Sequence, residues 1–234
     1  MSVNIDFQKF EDRAAASAAA ANLLAGLLRD VLDSAPRAEA SLVVSGGTTP
    51  GPCFDLLSGE PLDWSRVTVM PSDERWVPAT DAASNERLIR TRLLKGPAAA
   101  GKMLPFFREG LDASQAPSVI EAELARLSRE FSAVLLGMGE DGHFASLFPD
   151  FDGLQDALDP QSGTTCTLVR TASSPYTRIS LTLPVLLKSV HIALLIFGES
   201  KRSVFETAMS GSSTYPITAL LRETRTPLTV IWAP

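Results

Sequence analysis

SLVVSGGTTP, residues 41 to 50, decides the fold class. Ser41 to Ser45 is a short run around two adjacent valines, too apolar to keep one face in water, and Gly46-Gly47 breaks it at once. This is the pattern of a buried strand meeting a tight turn. A helix is expected next, with Thr49 as its N-cap and Pro50 at the first helical position.

The same alternation extends in both directions from this stretch. Residues 8 to 33, rich in Ala and Leu, read as a helix that stops before Pro36. Strands are predicted at 67–70, 133–136, 165–169, 179–183, 191–197 and 228–232, and further helices at 84–95, 117–130, 200–210 and 216–222. Continuous apolar strands separated by amphipathic helices predict an α/β protein with a Rossmann-like, mostly parallel sheet covered by helices on both faces. A chain of 234 residues builds one substantial core and is cramped for two, so a single domain over residues 1–234 is expected.

The composition is 45% hydrophobic and 21% charged, a globular profile, with a net charge of −6. That balance supplies no positive field for nucleic acid or an anionic membrane, and neither is expected as a partner. No uninterrupted apolar run reaches the roughly 20 residues of a membrane span. The N-terminal MSVNIDFQKFEDR has acids where a secretory leader would be basic and then apolar, which points to the cytoplasm. Two cysteines, Cys53 and Cys166, and two histidines are too few for a disulfide scaffold or a zinc-spaced cluster, so no metal is expected. Both thiols read as buried small hydrophobes.

Ligands of parallel sheets bind beyond the carboxyl ends of the strands. The segments 45–50, 72–78, 137–149 and 198–202 fall there. The backbone N–H groups and hydroxyls of SGGTTP suit a phosphate, or serve only as a tight turn; the lysine and spacing of a nucleotide P-loop are absent. Lys201 lies in the first turn of a helix, on the unfavourable side of the dipole, where an anion between it and the helix end would stabilise it; taken singly it also reads as a solvated surface lysine. Arg75 follows one strand and Arg178 opens another, and each has an ordinary ion-pair reading as well.

GMGEDGHFASLFP, residues 137 to 149, carries the most chemistry. Gly137, Gly139 and Gly142 match a G-x-G-x-x-G dinucleotide fingerprint, but Glu140 and Asp141 put two negative charges where a pyrophosphate would sit. The alternatives are that the glycines present Asp141 and His143 in a cleft, the carboxylate orienting an imidazole for acid–base work, or that His143 is a satisfied structural histidine in a loop. His191 begins an apolar run and reads as structural.

The ordered set SGGTTP, SDERWVP, SNERLIR, GMGEDGHFASLFP, RISLTLPVL and GESK, spanning residues 45 to 201, resembles the 6-phosphogluconolactonase family. The resemblance implies a fold shared with glucosamine-6-phosphate deaminases and ribose-5-phosphate isomerases. It also implies hydrolysis of 6-phospho-D-glucono-1,5-lactone, a small-molecule phosphorylated lactone, in the oxidative pentose phosphate pathway, without a cofactor, by a monomer or homodimer. It makes His143 the general base and Asp141 its companion. Gly46, Gly47 and Thr48 become the sugar-phosphate loop, and Arg75, Arg178 and Lys201 the cationic contacts. Asp73 and Asn85 shape the site, with Gly139 and Gly142 supporting the histidine. The sequence leaves open which cation meets the phosphate and which the lactone oxygens.

Two other readings carry different chemistry. The related deaminase–isomerases place a glutamate immediately before the proline of the histidine segment, where this chain has Phe148, and an aromatic residue where it has Arg75. A phenyl ring cannot relay protons, which favours the lactonase. A sugar-phosphate sensor without catalysis would keep the fold but has no need of both Asp141 and His143.

Overall fold

The computed structural model describes residues 5–127, 130–172, 174–211 and 213–234. In chain order it runs β1 (Ile5–Lys9), α1 (Arg13–Ser34), β2 (Ala40–Val44), α2 (Gly51–Leu57), β3 (Val67–Pro71), β4 (Asp73–Arg75) and α3 (Asn85–Arg92). There follow β5 (Lys102–Met103), α4 (Ala116–Leu124), β6 (Ala133–Leu136), α5 (Leu154–Leu158), β7 (Cys166–Thr171) and β8 (Ser174–Leu181). The chain closes with α6 (Leu183–Leu186), β9 (Ile192–Phe197), α7 (Glu199–Met209), α8 (Pro216–Glu223) and β10 (Leu228–Ala233).

Seven parallel strands form the main sheet in the order β1-β10-β9-β6-β2-β3-β5. Alternate side chains feed two cores. Leu42 and Val44 of β2, Ala133 and Leu135 of β6, and Ala193 and Leu195 of β9 join the layer of α1, α2 and α3. Val43, Val134, Leu136, Ile192, Leu194 and Ile196 join that of α4 to α8. Each fully buried aliphatic side chain is worth roughly 1.5 to 3 kcal/mol over exposure, so the sheet is held from both faces. This is why its strands show no polar alternation.

From β2 the chain winds outward through β3 to β5, then crosses back to the other side of β2 and continues through β6, β9 and β10. The winding direction reverses between β2 and β6. A crevice opens at that point beyond the carboxyl ends of the strands.

Several elements depart from expectation. The helix predicted from residue 8 begins at Arg13, because Ile5–Lys9 pairs in parallel with β10 from Leu228 to Trp232. Asp12 caps that helix through the backbone N–H of Ala15. Thr49 is not the N-cap of α2; Pro50 takes that position, and Pro52 lies in the first turn. The helix predicted to 130 ends at Leu124, and residues 128 and 129 of that prediction lie outside the described residues. The 165–169 and 179–183 strands are not in the main sheet. As β7 and β8 they pair antiparallel, with β4 on the other edge of β8, in a separate three-stranded sheet. Arg178 accordingly sits within β8 rather than opening it. Although no unbroken apolar run suggests it, the 22-residue α1 is long and apolar enough by composition to cross a membrane. Here its Ala16, Ala20, Leu24, Leu28 and Leu32 face is buried in the core.

Candidate active site

The turn after β2 lies beside the turn after β6. Ser45 N–H donates to Leu135 O at 2.9 Å, extending the β2–β6 ladder one residue past the strand. Gly46 follows, and a Cβ on it would lie 1.9 Å from Oδ1 of Asn85. Only glycine lets that amide pack so close. Gly47 turns the chain with φ +86, a left-handed conformation that suits glycine.

The turn after β6 is closed by its own backbone: Gly139 N–H donates to His143 O at 2.9 Å and Gly142 N–H to Gly139 O at 3.1 Å. Oδ1 of Asp141 lies 2.5 Å from Nδ1 of His143 and accepts from the His143 backbone N–H at 3.2 Å. A neutral ring that donates Nδ1–H to this carboxylate keeps the lone pair of Nε2 as an acceptor. A Cβ on Gly139 would stand 2.3 Å from the imidazole, and one on Gly142 would meet Tyr215 at 2.6 Å. Gly142 also has φ +75, and its carbonyl accepts from Ile217 N–H at 2.9 Å, so the entrance to α8 braces the turn from behind. Phe148 lies against His143, ring centroids 4.3 Å apart, and Arg178 stacks over the same phenyl ring at 5.2 Å.

The small antiparallel sheet supplies the opposite wall. Register pairs Arg75 directly with Arg178. Like charges placed opposite one another are unfavourable unless an anion joins them. Arg178 is 12% exposed; burial pushes its guanidinium pKa down, with Asp73 opposing and Arg75 reinforcing that shift. Asp73 accepts from Ser72 Oγ at 2.9 Å and Ser146 Oγ at 2.5 Å, with Arg178 Nη1 at 3.6 Å. Arg75 Nη1 donates to Ala83 O at 2.6 Å and Asn85 Oδ1 at 3.1 Å, while its buried Nε has no acceptor among the described residues. Lys201, half-buried in the first turn of α7, has its ammonium pKa pushed down by burial, with Glu140 opposing.

Gly46, Gly47, Thr48, Asp73, Arg75, Asn85, Gly139, His143, Arg178 and Lys201 line one cavity of about 270 Å³ at the switch point. Asp141 and Gly142 stand behind it and hold His143. Ser45, Thr49, Gly137, Met138 and Ala145 complete the lining; Ser45, Thr49 and Gly137 belong to the two turns the sequence marks, and Met138 and Ala145 were given no role there. Ala145 is left-handed at φ 48, the one non-glycine residue with positive φ among those described. Two groups behind the wall were also missed, Ser146 and Glu74, although both lie in motifs that sequence reading marked. Tyr215 carries no local signal.

Cys53, Cys166 and His191 lie outside the cavity. Burial pushes both thiols up to about 12, and His191 Nε2 pairs with Thr229 Oγ1 at 2.9 Å. Among the described residues no three His, Cys, Asp or Glu side chains converge as a metal site.

The glucosamine-6-phosphate isomerase/6-phosphogluconolactonase family model matches residues 11–232. The chain belongs to this family. A 6-phosphogluconolactonase of Mesorhizobium japonicum is 39% identical over 98% of this chain and 95% of that protein. One from Pseudomonas aeruginosa is 39% identical over 90% and 87%. The crystal structure of a 6-phosphogluconolactonase from Shewanella baltica, 37% identical, superposes with a TM-score of 0.92 over 98% of each chain. A monomeric glucosamine-6-phosphate deaminase, 19% identical, shares the fold with a TM-score of 0.76. The family's description names an isomerase and a lactonase, and this chain puts an apolar ring, Phe148, directly beside its histidine.

Proposed function

We propose that this chain hydrolyses 6-phospho-D-glucono-1,5-lactone to 6-phospho-D-gluconate, in the cytoplasm and within the oxidative pentose phosphate pathway. The observation that carries this reading is the Asp141–His143 contact of 2.5 Å at the wall of a cavity whose opposite side holds two arginines in register. The names of its relatives support the same substrate. Nε2 of His143 takes a proton from water as the oxygen attacks the C1 carbonyl. The carbonyl electrons move onto oxygen, and when they return the C1–ring oxygen bond breaks. The imidazolium then protonates the departing ring oxygen, leaving the base as it began. Asp141 holds the tautomer and stabilises the transient imidazolium.

Arg75, Arg178 and Lys201, with the Gly46–Gly47–Thr48 turn, hold the phosphate and the oxygens of the lactone, and donors among them stabilise the oxyanion. Asp73 and Asn85 keep those donors aimed. The chemistry asks for no cofactor or metal, and the working unit is one domain of residues 1–234, as a monomer or homodimer, with no nucleic acid or membrane partner.

The test is lactone hydrolysis by the purified protein, corrected for the spontaneous reaction, beside the His143→Ala variant. Loss of the enzymatic excess in the variant is expected. Ammonia release from glucosamine 6-phosphate would instead make it a deaminase. Tight binding of 6-phosphogluconate with no turnover would make it a sensor.

A further inference from the structure

Glu74 is a fully buried carboxylate that takes no part in the cavity lining. Oε1 accepts from the backbone N–H groups of Asn85 at 2.7 Å and Arg75 at 2.9 Å; Oε2 accepts from Glu86 N–H at 2.6 Å and Ser84 Oγ at 3.2 Å. The first N–H groups of a helix have no partner within it. In α3 those of Arg87 and Leu88 go to Ser84, so the two that remain, Asn85 and Glu86, are both held by Glu74. A carboxylate has the acceptor capacity for all four donors; an amide does not.

What it holds is a junction of the site. The Asn85 amide donates to Asp73 O at 2.7 Å, accepts from Arg75 and sits under Gly46. One side chain thus touches the phosphate-loop wall and the arginine wall together. We infer that Glu74 is a positioning residue for ligand binding: by clamping the N-terminus of α3 it sets Asn85, and through Asn85 it sets Arg75 and the turn at Gly46. The inference rests on the ligand proposed above.

The charged groups around Glu74 are Asp73 and Arg75 on β4, Arg178 on β8, and Glu86 on α3, whose carboxylate is paired with Arg90. Burial pushes the Glu74 carboxyl up to about 7, with Asp73 adding to it and the three backbone N–H groups pulling the other way. A protonated Glu74 keeps its shape but gives up charge-assisted hydrogen bonds for neutral ones; Glu74→Gln removes the charge at every pH and also turns one oxygen into an NH2 that faces N–H donors, so it is the more disruptive of the two changes.

The experiment measures lactone kinetics and calorimetric binding of 6-phosphogluconate across pH for wild type and Glu74→Gln. Above neutrality the variant is expected to raise KM and Kd about tenfold with kcat within about twofold, since the loss falls on binding. As pH falls through about 7, wild-type affinity should approach that of the variant. The phosphate of the ligand titrates alike in both and cancels in the comparison. Equal Kd values above neutrality, or the same pH dependence in both proteins, would overturn the inference. Should Glu74→Gln fail to fold by circular dichroism, Asn85→Ala, which cuts the link and leaves the clamp, replaces it. A flattened pH dependence of binding is then expected, and a wild-type one overturns the proposal. Absence of lactone turnover with retained 6-phosphogluconate binding would remove the lactonase reading while the binding arm still decides the role of Glu74.

Discussion

The turn after β2 and the turn after β6 leave adjacent strands side by side, and each uses two glycines for the same pair of reasons. One glycine admits a side chain that a Cβ would strike, Asn85 at Gly46 and His143 at Gly139; the other turns the chain left-handed, Gly47 and Gly142. They differ in where the approaching side chain comes from. At Gly139 it is the turn's own histidine, four residues on, so the proposed base and its support are one local unit. At Gly46 it is an asparagine from α3, so this turn is correct only when a distant helix end is correct. On the proposed reading one turn supplies the reacting group and the other a binding surface, and substitutions should separate the two in kcat and KM.

The largest expected effect is that of His143→Ala, which should remove roughly 10² to 10⁴ of the enzymatic rate while the protein stays folded. A rate unchanged after correction for spontaneous hydrolysis would take the turn after β6 out of the chemistry. Gly139→Ala comes next: it keeps both polar groups but displaces the imidazole, and an error of this size in placing a base costs about a hundredfold in kcat. Its KM should hold. Gly46→Ala should do the reverse, raising KM about tenfold through a displaced Asn85 and Arg75 with kcat nearly retained. If both alanines acted on the same constant, the contrast between the turns would fail. The smallest effect is expected at Gly47, where a Cβ meets nothing within 4 Å and only the backbone objects. Gly47→Ala should cost roughly 1 to 2 kcal/mol of stability in urea unfolding with little change in kcat.

How much of this was legible follows the same division between local and distant contacts. The Asp141–His143 pair is two residues apart, and its glycines announce a turn, so the candidate base was readable without coordinates. The apolar strands were readable because burial on both faces leaves only apolar side chains. The start of α1 was not. Residues 8 to 33 have helical composition from end to end, and Ile5–Lys9 becomes a strand only because β10 offers it an edge. Nor does a local pattern show that β7 and β8 leave the main sheet to pair with β4. That pairing sets Arg178 across from Arg75, more than a hundred residues earlier in the chain. Glu74 lay in a quoted motif and still went unnoticed, because its work is done on a helix that starts eleven residues later.

By itself, then, the sequence determined the alternation of buried strands and amphipathic helices, the two glycine turns at strand ends, and a histidine with a carboxylate beside it. Each of these is a matter of spacing within a few residues, where backbone geometry leaves few choices. The tertiary structure alone decided that Asn85 lies under Gly46, that two arginines face each other across a strand pair, that Phe148 backs the imidazole, and that Glu74 closes the end of α3. Those contacts arise from packing and register, in which each element accepts many partners until the core selects one.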